Sequence, residues 1–424
     1  MIASELKEKI NSGALKSYTH LYSDIDAQSA RFSRIIDRFI SLYGDNDALL
    51  LTVPGRSEIS GNHTDHNRGC VLAGAIDRDV IAVAAKNDLG LVRIFSEGYP
   101  ENVIKICECD SACNYDKYTS TSLIAGTVNG FSERGYAFGG FDIVMTSEVL
   151  KGSGISSSAA FEVMIGNALN HLYNDGRIDN VELAKIAQYA ENEYFGKPCG
   201  LMDQMACAVG GFVFIDFEDV KNPVVTPIDF SLGDAGYALC IVNTGGNHAD
   251  LNEDYASVPR EMKAVAAAFG RDVLRGVSEG ELIAKAPELR ESLGDRAILR
   301  ALHFVRENKR VCEAKDALAD GRLDRFFSAV NESGNSSFKY LQNVYTTVNV
   351  SEQGLSLALA LAEEYLAGEG ASRVHGGGFA GTVQIFVKKS RLLGLTELMD
   401  SVFGKGSAMA LNVRPVGAAR LDLL

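Results

Sequence analysis

The sequence predicts an α+β fold made of two domains. Segments with strand character and segments with helical periodicity are mixed along the 424 residues, without the strict alternation that a doubly wound sheet requires. This length is typical of two or three domains, of which two is favoured. A hydrophobic content of 46% allows a large buried core.

Helical character begins near the N-terminus. Apolar residues at 32–42 recur with the period of an amphipathic helix that would end at Gly44. Residues 1–30 are more polar, and we interpret them as a possible appended helical arm. The stretch 219–227 is polar and contains two prolines, which predicts a boundary between domains at 31–217 and 218–424.

Runs of apolar or alternating residues predict the strands. They are 48–53, 70–76, 80–85, 91–95, 102–106, 141–144, 212–217, 238–243, 383–387 and 408–419. Apolar residues with a 3.6-residue period predict further helices at 123–134, 161–172, 181–195, 259–269, 279–286, 296–319, 322–333 and 352–368. The first strand would stop at Pro54 and Gly55, and a turn-rich polar segment would follow to Gly69.

Charge and cysteine content exclude several classes of protein. Asp and Glu number 55 against 41 Lys and Arg, a net charge of −14, which disfavours binding to nucleic acid or anionic membranes. Eight cysteines are too sparse for a disulfide scaffold, and Cys107, Cys109 and Cys113 match no standard zinc spacing. With no signal peptide or membrane span evident, we expect a cytoplasmic, reduced protein.

A glycine- and serine-rich loop at 149–160 separates a strand from a helix. Main-chain N–H groups at such a helix start converge on one point and favour a phosphate. The loop is not a Walker A motif, and Ser157 stands where the dinucleotide fingerprint needs its last glycine. A flexible turn capped by serine is the alternative.

Two further segments carry candidate chemistry. The polar residues at 54–69 suit a polyhydroxylated ligand, with Arg56 available for a phosphate. The alternatives are a solvated loop or a metal site formed by His63, Asp65 and His66.

Carboxylates occur in an otherwise small and apolar region at 191–203. Glu191 shares a helix face with small residues, and Asp203 could act on a hydroxyl proton. A surface charge or a helix cap is the alternative for each. The three glycines at 376–378 precede a strand and indicate either close backbone approach or a hairpin turn.

Together these motifs resemble the galactokinase branch of the GHMP small-molecule kinases. Residues 54–69 match in part the form P-G-R-x-N-x-I-G-E-H-T-D-Y-N-x-G. Residues 152–160 match G-x-G-L-S-S-S-A-(A/S), with Ile155 for leucine.

The other two motifs lie further along the chain. Residues 198–204 match P-C-G-x-M-D-Q, and 376–381 match G-G-G-F-G-G with Ala380 for glycine. The order fits, and the resemblance spans about 35–420. Four motifs in register are far more specific than any one of them.

The resemblance implies a two-domain GHMP kinase fold with its active site in the cleft between the domains. It implies ATP-dependent phosphorylation of the anomeric hydroxyl of galactose or a close sugar, with Mg²⁺ accompanying ATP. The ATP phosphate loop would be Gly152, Ser153, Gly154, Ile155, Ser156, Ser157 and Ser158.

The resemblance also assigns roles to single residues. Asp203 would be the catalytic base or would orient the hydroxyl, and Arg56 would stabilise charge on the phosphoryl group. Ser158 and Glu191 would hold Mg²⁺. The sugar would be contacted by Asn62, His63, Thr64, Asp65, Gly200, Asp203 and Tyr255.

Departures from the family pattern leave the sugar open. Asn62 replaces a glutamate expected to bind a sugar hydroxyl, Glu58 replaces an asparagine, Ser60 an isoleucine and His66 a tyrosine. A lost charge-assisted hydrogen bond is worth about 1.5–3 kcal/mol, enough to change sugar preference about tenfold. Galactose is the first choice, with N-acetylgalactosamine, arabinose or another hexose as alternatives.

Two other functions found among related proteins are less consistent with this sequence than sugar kinase activity. A non-catalytic sugar sensor would be expected to have a damaged phosphate loop or catalytic aspartate, whereas Ser157, Ser158 and Asp203 are present. A mevalonate or homoserine kinase is disfavoured by the sequence at 63–65. The expected partners are a sugar and ATP, without nucleic acid or membrane, for a monomer or weak homodimer.

Overall fold

The chain packs as two compact units. The computed structural model describes residues 1–149, 154–197, 199–246 and 251–422. Unit 1 contains Met1–Arg56, Ala75–Gly211 and Arg414–Leu424. Unit 2 contains Ser57–Gly74 and Phe212–Val413.

The predicted domains are continuous stretches of sequence, whereas each of these units contains separate segments of the chain. The predicted boundary near 217 lies close to the end of the second segment of unit 1. Residues 57–74, however, belong with the C-terminal half, and the last residues of the chain belong with the N-terminal half.

The helices and strands have the following bounds. The strands are β1 (Leu49–Ser60), β2 (Cys70–Lys86), β3 (Leu91–Ser96), β4 (Asn102–Lys105), β5 (Phe141–Ser147), β6 (Phe212–Asp216), β7 (Val224–Ile228), β8 (Tyr237–Asn243), β9 (Gly370–His375), β10 (Thr382–Lys388), β11 (Ala408–Leu411) and β12 (Ala419–Leu421). The helices are α1 (Ala3–Asn11), α2 (Ile25–Tyr43), α3 (Ser120–Glu133), α4 (Ser157–Tyr173), α5 (Asn180–Tyr189), α6 (Met202–Val209), α7 (Asn252–Ala268), α8 (Glu279–Leu293), α9 (Asp295–Ala319), α10 (Leu323–Ser336), α11 (Gly354–Leu366) and α12 (Leu392–Phe403). Within the described ranges, none of these helices combines the length and the apolar character needed to cross a bilayer.

Unit 1 is built on a sheet with the strand order β12, β1, β2, β5, β3, β4. Strand β5 pairs antiparallel with β2 and parallel with β3. Alternate residues of a strand point to the same face, and Ile81, Val83 and Ala85 of β2 are buried in one cluster with apolar residues of α1 and α2. These two helices therefore cover that face of the sheet.

Residues 1–30 complete the core of unit 1. Leu6, Ile10, Leu21 and Tyr22 belong to this same cluster, and each is at most 5% exposed. The region is helical, as the sequence indicates, but it packs onto the sheet and does not stand apart as an arm.

Unit 2 contains the antiparallel sheet β11, β8, β10, β9. Leu359 and Ala362 of α11 and Leu395 of α12 are buried with Ile385 of β10, so these helices cover one face. Helices α7, α8 and α9 share a second apolar cluster. Strands β6 and β7 form an antiparallel ladder with the first residues of β2.

Strand β1 does not stop where the sequence predicts. It continues through Pro54 and Gly55, and all its residues after Leu49 are buried. A Cβ atom on Gly55 would lie only 2.7 Å from the carbonyl oxygen of Ile155, and Arg56 N donates to the same oxygen at 3.1 Å. The predicted stop was wrong because a segment about a hundred residues away contacts this part of the strand.

Two other element predictions were also wrong. The predicted strands 70–76 and 80–85 form the single strand β2, because Asp79 near its centre pairs with Arg31 inside unit 1. The predicted strand 408–419 is divided into β11 and β12. Strand β7 lies in the polar stretch that was predicted as a boundary.

Candidate functional site

The loop rich in glycine and serine leads into the N-terminus of α4 in unit 1. Gly152 and Ser153 lie outside the described residues, whereas Gly154 is described and has φ +75°. Ser157 and Ser158 are half-buried in the first turn of α4. The first N–H groups of a helix have no partner within it and, with the macrodipole, favour an anion.

Arg56 and Ser156 hold Asp203 beside this loop. Arg56 Nε and Nη2 each donate to one carboxylate oxygen of Asp203 at 2.8 Å, a bidentate contact that fixes its orientation. Arg56 Nη1 also donates to the carbonyl oxygen of Gly154 at 2.6 Å. Two segments distant in sequence, at Arg56 and at Ser156, therefore converge on the carboxylate of Asp203.

Ser156 contributes the third contact to Asp203. Its hydroxyl donates to Asp203 Oδ2 at 2.5 Å, and its φ of +63° lies in the left-handed region. A residue other than glycine pays about 1 kcal/mol or more for this conformation. The sequence suggested a phosphate-binding role for Ser156, and the structure adds a direct contact with the carboxylate.

The environment keeps Asp203 ionised. Burial alone would raise its pKa, but the charge and hydrogen bonds of Arg56, together with the bond from Ser156, lower the pKa below its ordinary value. Asp203 lies in the first turn of α6, and Gly200 is half-buried two residues before that helix. A carboxylate of this kind is a weak base and a strong hydrogen-bond acceptor.

An amide bridges two buried glutamates in the same unit. Gln204 Nε2 donates to Glu191 Oε2 at 2.7 Å and lies 3.3 Å from Glu162 Oε2. Burial, and then the charge of Glu191, raise the pKa of Glu162 well above its ordinary value. Lys197 Nζ lies 3.2 Å from Glu191 Oε1, but its side chain is 59% exposed. Glu191 is therefore paired with one loosely held cation.

The oxygen donors of this cluster fit Mg²⁺. This ion takes oxygen ligands and in ATP-dependent enzymes uses only one or two protein carboxylates, with phosphates and water completing its shell. Glu162 Oε1 is buried and has no hydrogen-bond partner among the described residues. Glu191 and Glu162 are thus carboxyl groups available to the ion, and Ser158 lies four residues before Glu162 on the same face of α4. The sequence missed Glu162, although an acidic residue on a largely apolar helix was a usable signal.

In unit 2 the polar segment after β1 forms a compact loop. The Thr64 hydroxyl is buried and lies 2.8 Å from the carbonyl oxygen of Gly61 and 2.7 Å from that of Cys70. Asp65 keeps 21% of its side chain exposed and accepts a hydrogen bond from the main-chain N–H of His66 at 2.9 Å. Thr64 therefore shapes the loop, while Asp65 remains accessible.

His63 and Tyr255 contact the glycine-rich turn of unit 2. His63 Nε2 lies 3.0 Å from the carbonyl oxygen of Gly377, and Tyr255 donates to that of Gly378 at 2.8 Å. A Cβ atom on Gly377 would lie 2.7 Å from the Tyr255 ring, so the turn makes the close backbone approach that its glycines indicate. Burial, helped by His66, lowers the pKa of His63 to about 4 and leaves its ring neutral at pH 7.

A metal site in this loop was the alternative interpretation of the same residues. Over the part of the chain that the structure describes, no three His, Cys, Asp or Glu side chains are grouped to hold a metal ion. This includes His63, Asp65 and His66, as well as the cysteines at 107, 109 and 113.

Asn62 is bonded on every side by protein. It is 1% exposed, and its side chain contacts Glu58, Asn343 and the main chain of Gly376. Asn343 was not singled out from the sequence, because nothing in its local surroundings marks it.

Buried Glu307 of helix α9 fixes the start of the compact loop that follows β1. It accepts hydrogen bonds from the main-chain N–H of Gly61 at 3.0 Å and from the Ser333 hydroxyl at 2.5 Å, and it pairs with Arg310 at 2.8 Å. Burial alone would raise the pKa of Glu307, but the charge of Arg310 and the neighbouring His303 and arginine lower it to about 2.

Replacing Glu307 with glutamine is expected to lower the free energy of unfolding by about 2 kcal/mol, the usual worth of a hydrogen bond to a charged group. Because the carboxyl has a lowered pKa, its contribution is complete above its ordinary pKa of 4.5 and is lost as pH falls towards about 2. Urea unfolding at pH 7 and at lower pH should therefore show a difference from wild type that shrinks in acid. Glu313→Gln, at an exposed position of α9, is the control.

Comparison with known proteins identifies related sequences and folds. Residues 37–86 match the family model of the galactokinase galactose-binding signature, and residues 122–211 match that of the GHMP kinases N terminal domain. A galactokinase of Streptomyces coelicolor is 32% identical over 89% of this chain and 94% of its own length. One of Glaesserella parasuis is 31% identical over 83% and 88% of the two chains.

Solved structures show a similar fold. The galactokinase of Lactococcus lactis, crystallised with galactose, has a TM-score of 0.78 and 23% identity, and the match covers 92% of this chain and all of the other. The mevalonate kinase of Methanococcus jannaschii has a TM-score of 0.61 and 14% identity over 87% of this chain and 99% of its own.

Proposed function

This chain belongs to the galactokinase family of the GHMP kinases, and we propose that it transfers the γ-phosphoryl group of ATP to the anomeric hydroxyl of galactose. The products are galactose 1-phosphate and ADP. The observation that carries this proposal is the carboxylate of Asp203, which Arg56 and Ser156 hold beside the N-terminus of α4. Phosphoryl transfer needs such positioning and charge more than it needs covalent chemistry.

The phosphates of ATP would bind at the start of α4. The main-chain N–H groups of residues 154–158 and the hydroxyls of Ser157 and Ser158 are the donors available there. Residues 152 and 153 extend the same motif in the sequence. Arg56 has a permanent positive charge and would stabilise the charge that develops on the phosphoryl group.

Asp203 would accept the hydrogen bond of the hydroxyl that is phosphorylated. Its pKa is lowered, so it stays ionised across the physiological range. Orientation of the hydroxyl is therefore its main task, and the proton would pass to Asp203 only late, as the oxygen–phosphorus bond forms and the bond from phosphorus to ADP breaks. A loose transition state requires little removal of that proton beforehand.

Glu191 and Ser158, together with Glu162, would hold Mg²⁺. When bound, this ion neutralises charge on the phosphates. Lys197 now supplies the cation next to Glu191 and, being exposed at the surface, can turn away when the ion arrives with ATP.

The sugar would be held by the groups of unit 2 that remain available to a ligand. Asp65 offers a carboxylate and His63 a neutral ring, and a carboxylate and an imidazole together can bond neighbouring hydroxyls. Tyr255 supports the glycine-rich turn that His63 also contacts. Thr64 acts through the loop, since its hydroxyl is bonded to main-chain oxygens.

The dependence on ATP suits a protein of the cytoplasm, where ATP is abundant. We propose a monomer or weak homodimer, because a net charge of −14 opposes self-association. Sedimentation at several protein concentrations tests this state.

The direct test is an assay of the purified protein with Mg-ATP and a panel of sugars. ADP release should be fastest with galactose, and phosphorus NMR should show the phosphate on the anomeric oxygen. Preference for N-acetylgalactosamine or arabinose would change the identity of the substrate but not the type of reaction. Sugar binding without any ADP release would overturn the proposal and favour a sensor.

Replacing Glu191 with glutamine is expected to raise the Mg²⁺ concentration needed for half-maximal rate by about tenfold or more, as loss of a metal-site group commonly does. The affinity for galactose should stay the same. Glu193→Gln is a matched control, because both residues lie on the π-helical turn Ala190–Phe195 and Glu193 is exposed. Equal Mg²⁺ dependence in the two variants would argue against a metal role for Glu191.

A further inference from the structure

Two cysteines from distant parts of the chain meet inside unit 2. Cys70 is the first residue of β2 and is 2% exposed, whereas Cys312 lies in the second half of α9 and is half-buried. Their thiols are hydrogen-bonded to each other. Both are free thiols, and the phosphoryl transfer proposed above uses neither of them.

The packing of α9 on the sheet brings these thiols together. Asn308 Oδ1 of α9 accepts a hydrogen bond from the main-chain N–H of Cys70 at 2.6 Å, and Cys312 follows one helical turn later. Three residues further on, Lys315 Nζ lies 5.0 Å from the centre of the Phe214 ring, which belongs to the neighbouring strand β6. One face of the helix is therefore fixed on both sides of Cys312.

The sulfur of Cys70 also contacts an ion pair. Arg275 Nη1 lies 3.7 Å from this sulfur, and two nitrogens of Arg275 donate to Asp216 at 2.9 Å each. Asp216 stands opposite Cys70 in the ladder of β2 and β6, and the Cys70 thiol is hydrogen-bonded to it. The permanent charge of Arg275 would stabilise negative charge on the Cys70 sulfur when that thiol loses its proton.

The two thiols differ in acidity and in access. The hydrogen bond with Cys312, and then burial, raise the pKa of Cys70. The hydrogen bond from Cys70 and the charge of Lys315 lower the pKa of Cys312 to about 7. Burial and the charges of Asp216 and Asp316 act in the opposite direction but are outweighed. Because oxidants react with the thiolate and not with the thiol, half-buried Cys312 is the sulfur that an oxidant reaches first.

We propose that Cys312 and Cys70 form a peroxide-reactive pair that closes to an intramolecular disulfide. The Cys312 thiolate attacks one oxygen of hydrogen peroxide, the O–O bond breaks, and Cys312 becomes a sulfenic acid. The departing hydroxide takes a proton from solvent and leaves as water.

The second step joins the two sulfurs. The sulfur of Cys70 attacks that of Cys312, the S–S bond forms and the S–O bond breaks, and the hydroxyl leaves as water with the proton of Cys70. Each sulfur loses one electron and the peroxide gains two. This modification goes beyond the proposed phosphoryl transfer and does not depend on it.

The disulfide would fasten the start of β2 to α9. Cys70 directly follows the compact loop after β1, and the Thr64 hydroxyl of that loop lies 2.7 Å from the carbonyl oxygen of Cys70. The link would also close a long stretch of chain, which restricts the unfolded state and stabilises the folded one. Conversion of the sulfenic acid to the disulfide would protect Cys312 from irreversible oxidation.

The direct test is mass spectrometry of the reduced full-length protein after treatment with hydrogen peroxide at pH 7 and alkylation of the remaining thiols. Trypsin releases Cys70 on peptide 69–78 and Cys312 on peptide 311–315, and neither contains another cysteine. These two peptides joined to each other should be the main oxidised product and should separate on reduction. Recovery of both as alkylated peptides, under conditions that oxidise exposed Cys107 or Cys113, would overturn the proposal.

Single variants separate the roles of the two sulfurs. In Cys70→Ala the reaction should stop at the sulfenic acid, so dimedone should label peptide 311–315 about tenfold more than in wild type. In Cys312→Ser peptide 69–78 should stay reduced, because buried Cys70 has lost its reactive partner. Cys113→Ser removes an exposed cysteine and is the matched control, with the same yield of joined peptides as wild type. Oxidation of Cys70 in Cys312→Ser would contradict the order of the two steps.

Thermal unfolding shows whether the link fits the folded chain. The disulfide form of wild type should unfold about 5 °C or more above the reduced form, the shift expected for a native-like link that closes a long loop. Peroxide-treated Cys312→Ser gives the baseline for oxidation elsewhere in the protein. A disulfide form that unfolds at the same temperature as the reduced form, or below it, would show that the fold does not hold the two thiols in place for this bond.

Discussion

Replacing Asp203 with asparagine is expected to lower kcat for galactose phosphorylation by about a thousandfold, within the range for loss of a positioned acid–base group. The amide cannot accept the sugar proton, and it offers an N–H where Arg56 and Ser156 need an acceptor. Binding of ATP should change little, because the start of α4 is not altered. Steady-state rates of ADP release and calorimetry with ATP separate the two effects.

Two controls sharpen this expectation. Asp219→Asn removes an exposed aspartate and should leave the rate at the wild-type level. Ser156→Ala removes one of the three hydrogen bonds to Asp203 and should cost about tenfold, the worth of a single hydrogen bond of this kind. If the Asp203 variant keeps more than a tenth of the wild-type rate, a catalytic role for this carboxylate is excluded.

The fold class and the family could be predicted from sequence because their signals are local. Helical periodicity and strand runs placed most of the elements, and the predicted α+β fold of the GHMP kinases is confirmed by the matching structures. Motifs of consecutive residues carried the resemblance to galactokinases, which is confirmed by relatives that match along most of the chain. Each of these signals fits within a short window of sequence.

Features that depend on distant partners could not be predicted. The sequence marked Arg56, Ser156 and Asp203 separately, but not that one carboxylate receives bonds from both other residues. The burial of Glu307 has no local sign, since a single acidic residue on a polar helix is usually solvated. Strand β1 was predicted to be too short for the same reason, because the segment that contacts its second half lies far along the chain.

Another buried carboxylate, Asp79 of β2, contacts residues near both ends of the chain within unit 1. Asp79 is fully buried and receives hydrogen bonds from Arg31 at 2.5 Å, from Arg414 at 2.9 Å and from Tyr22 at 2.9 Å. One acidic group therefore binds α2 and the C-terminal segment to the sheet. This contact could not be predicted from the sequence, since the charged residues around position 79 indicated a break between two strands.

Asp79→Asn is expected to lower the free energy of unfolding by about 3–5 kcal/mol, because it removes the counter-charge of buried Arg414 and leaves buried Arg31 only with Glu148 at 3.6 Å. Asp37→Asn removes the partner of Lys7 in an exposed pair that also joins α1 to α2, and it should cost less than about 1 kcal/mol. Denaturant unfolding of the three proteins at pH 7 measures both changes. Similar losses in the two variants would contradict a central role for Asp79.

The pH dependence separates loss of this charge from loss of packing. Burial alone would raise the pKa of Asp79, but the charges of Arg31 and Arg414 lower it below the ordinary value of 3.8. The carboxylate therefore stabilises the fold fully above that pH, and its contribution is lost as the solution becomes more acidic. The difference in stability between wild type and Asp79→Asn should thus be constant near neutrality and shrink below about pH 4. A difference that does not change with pH would show that the variant acts through packing instead.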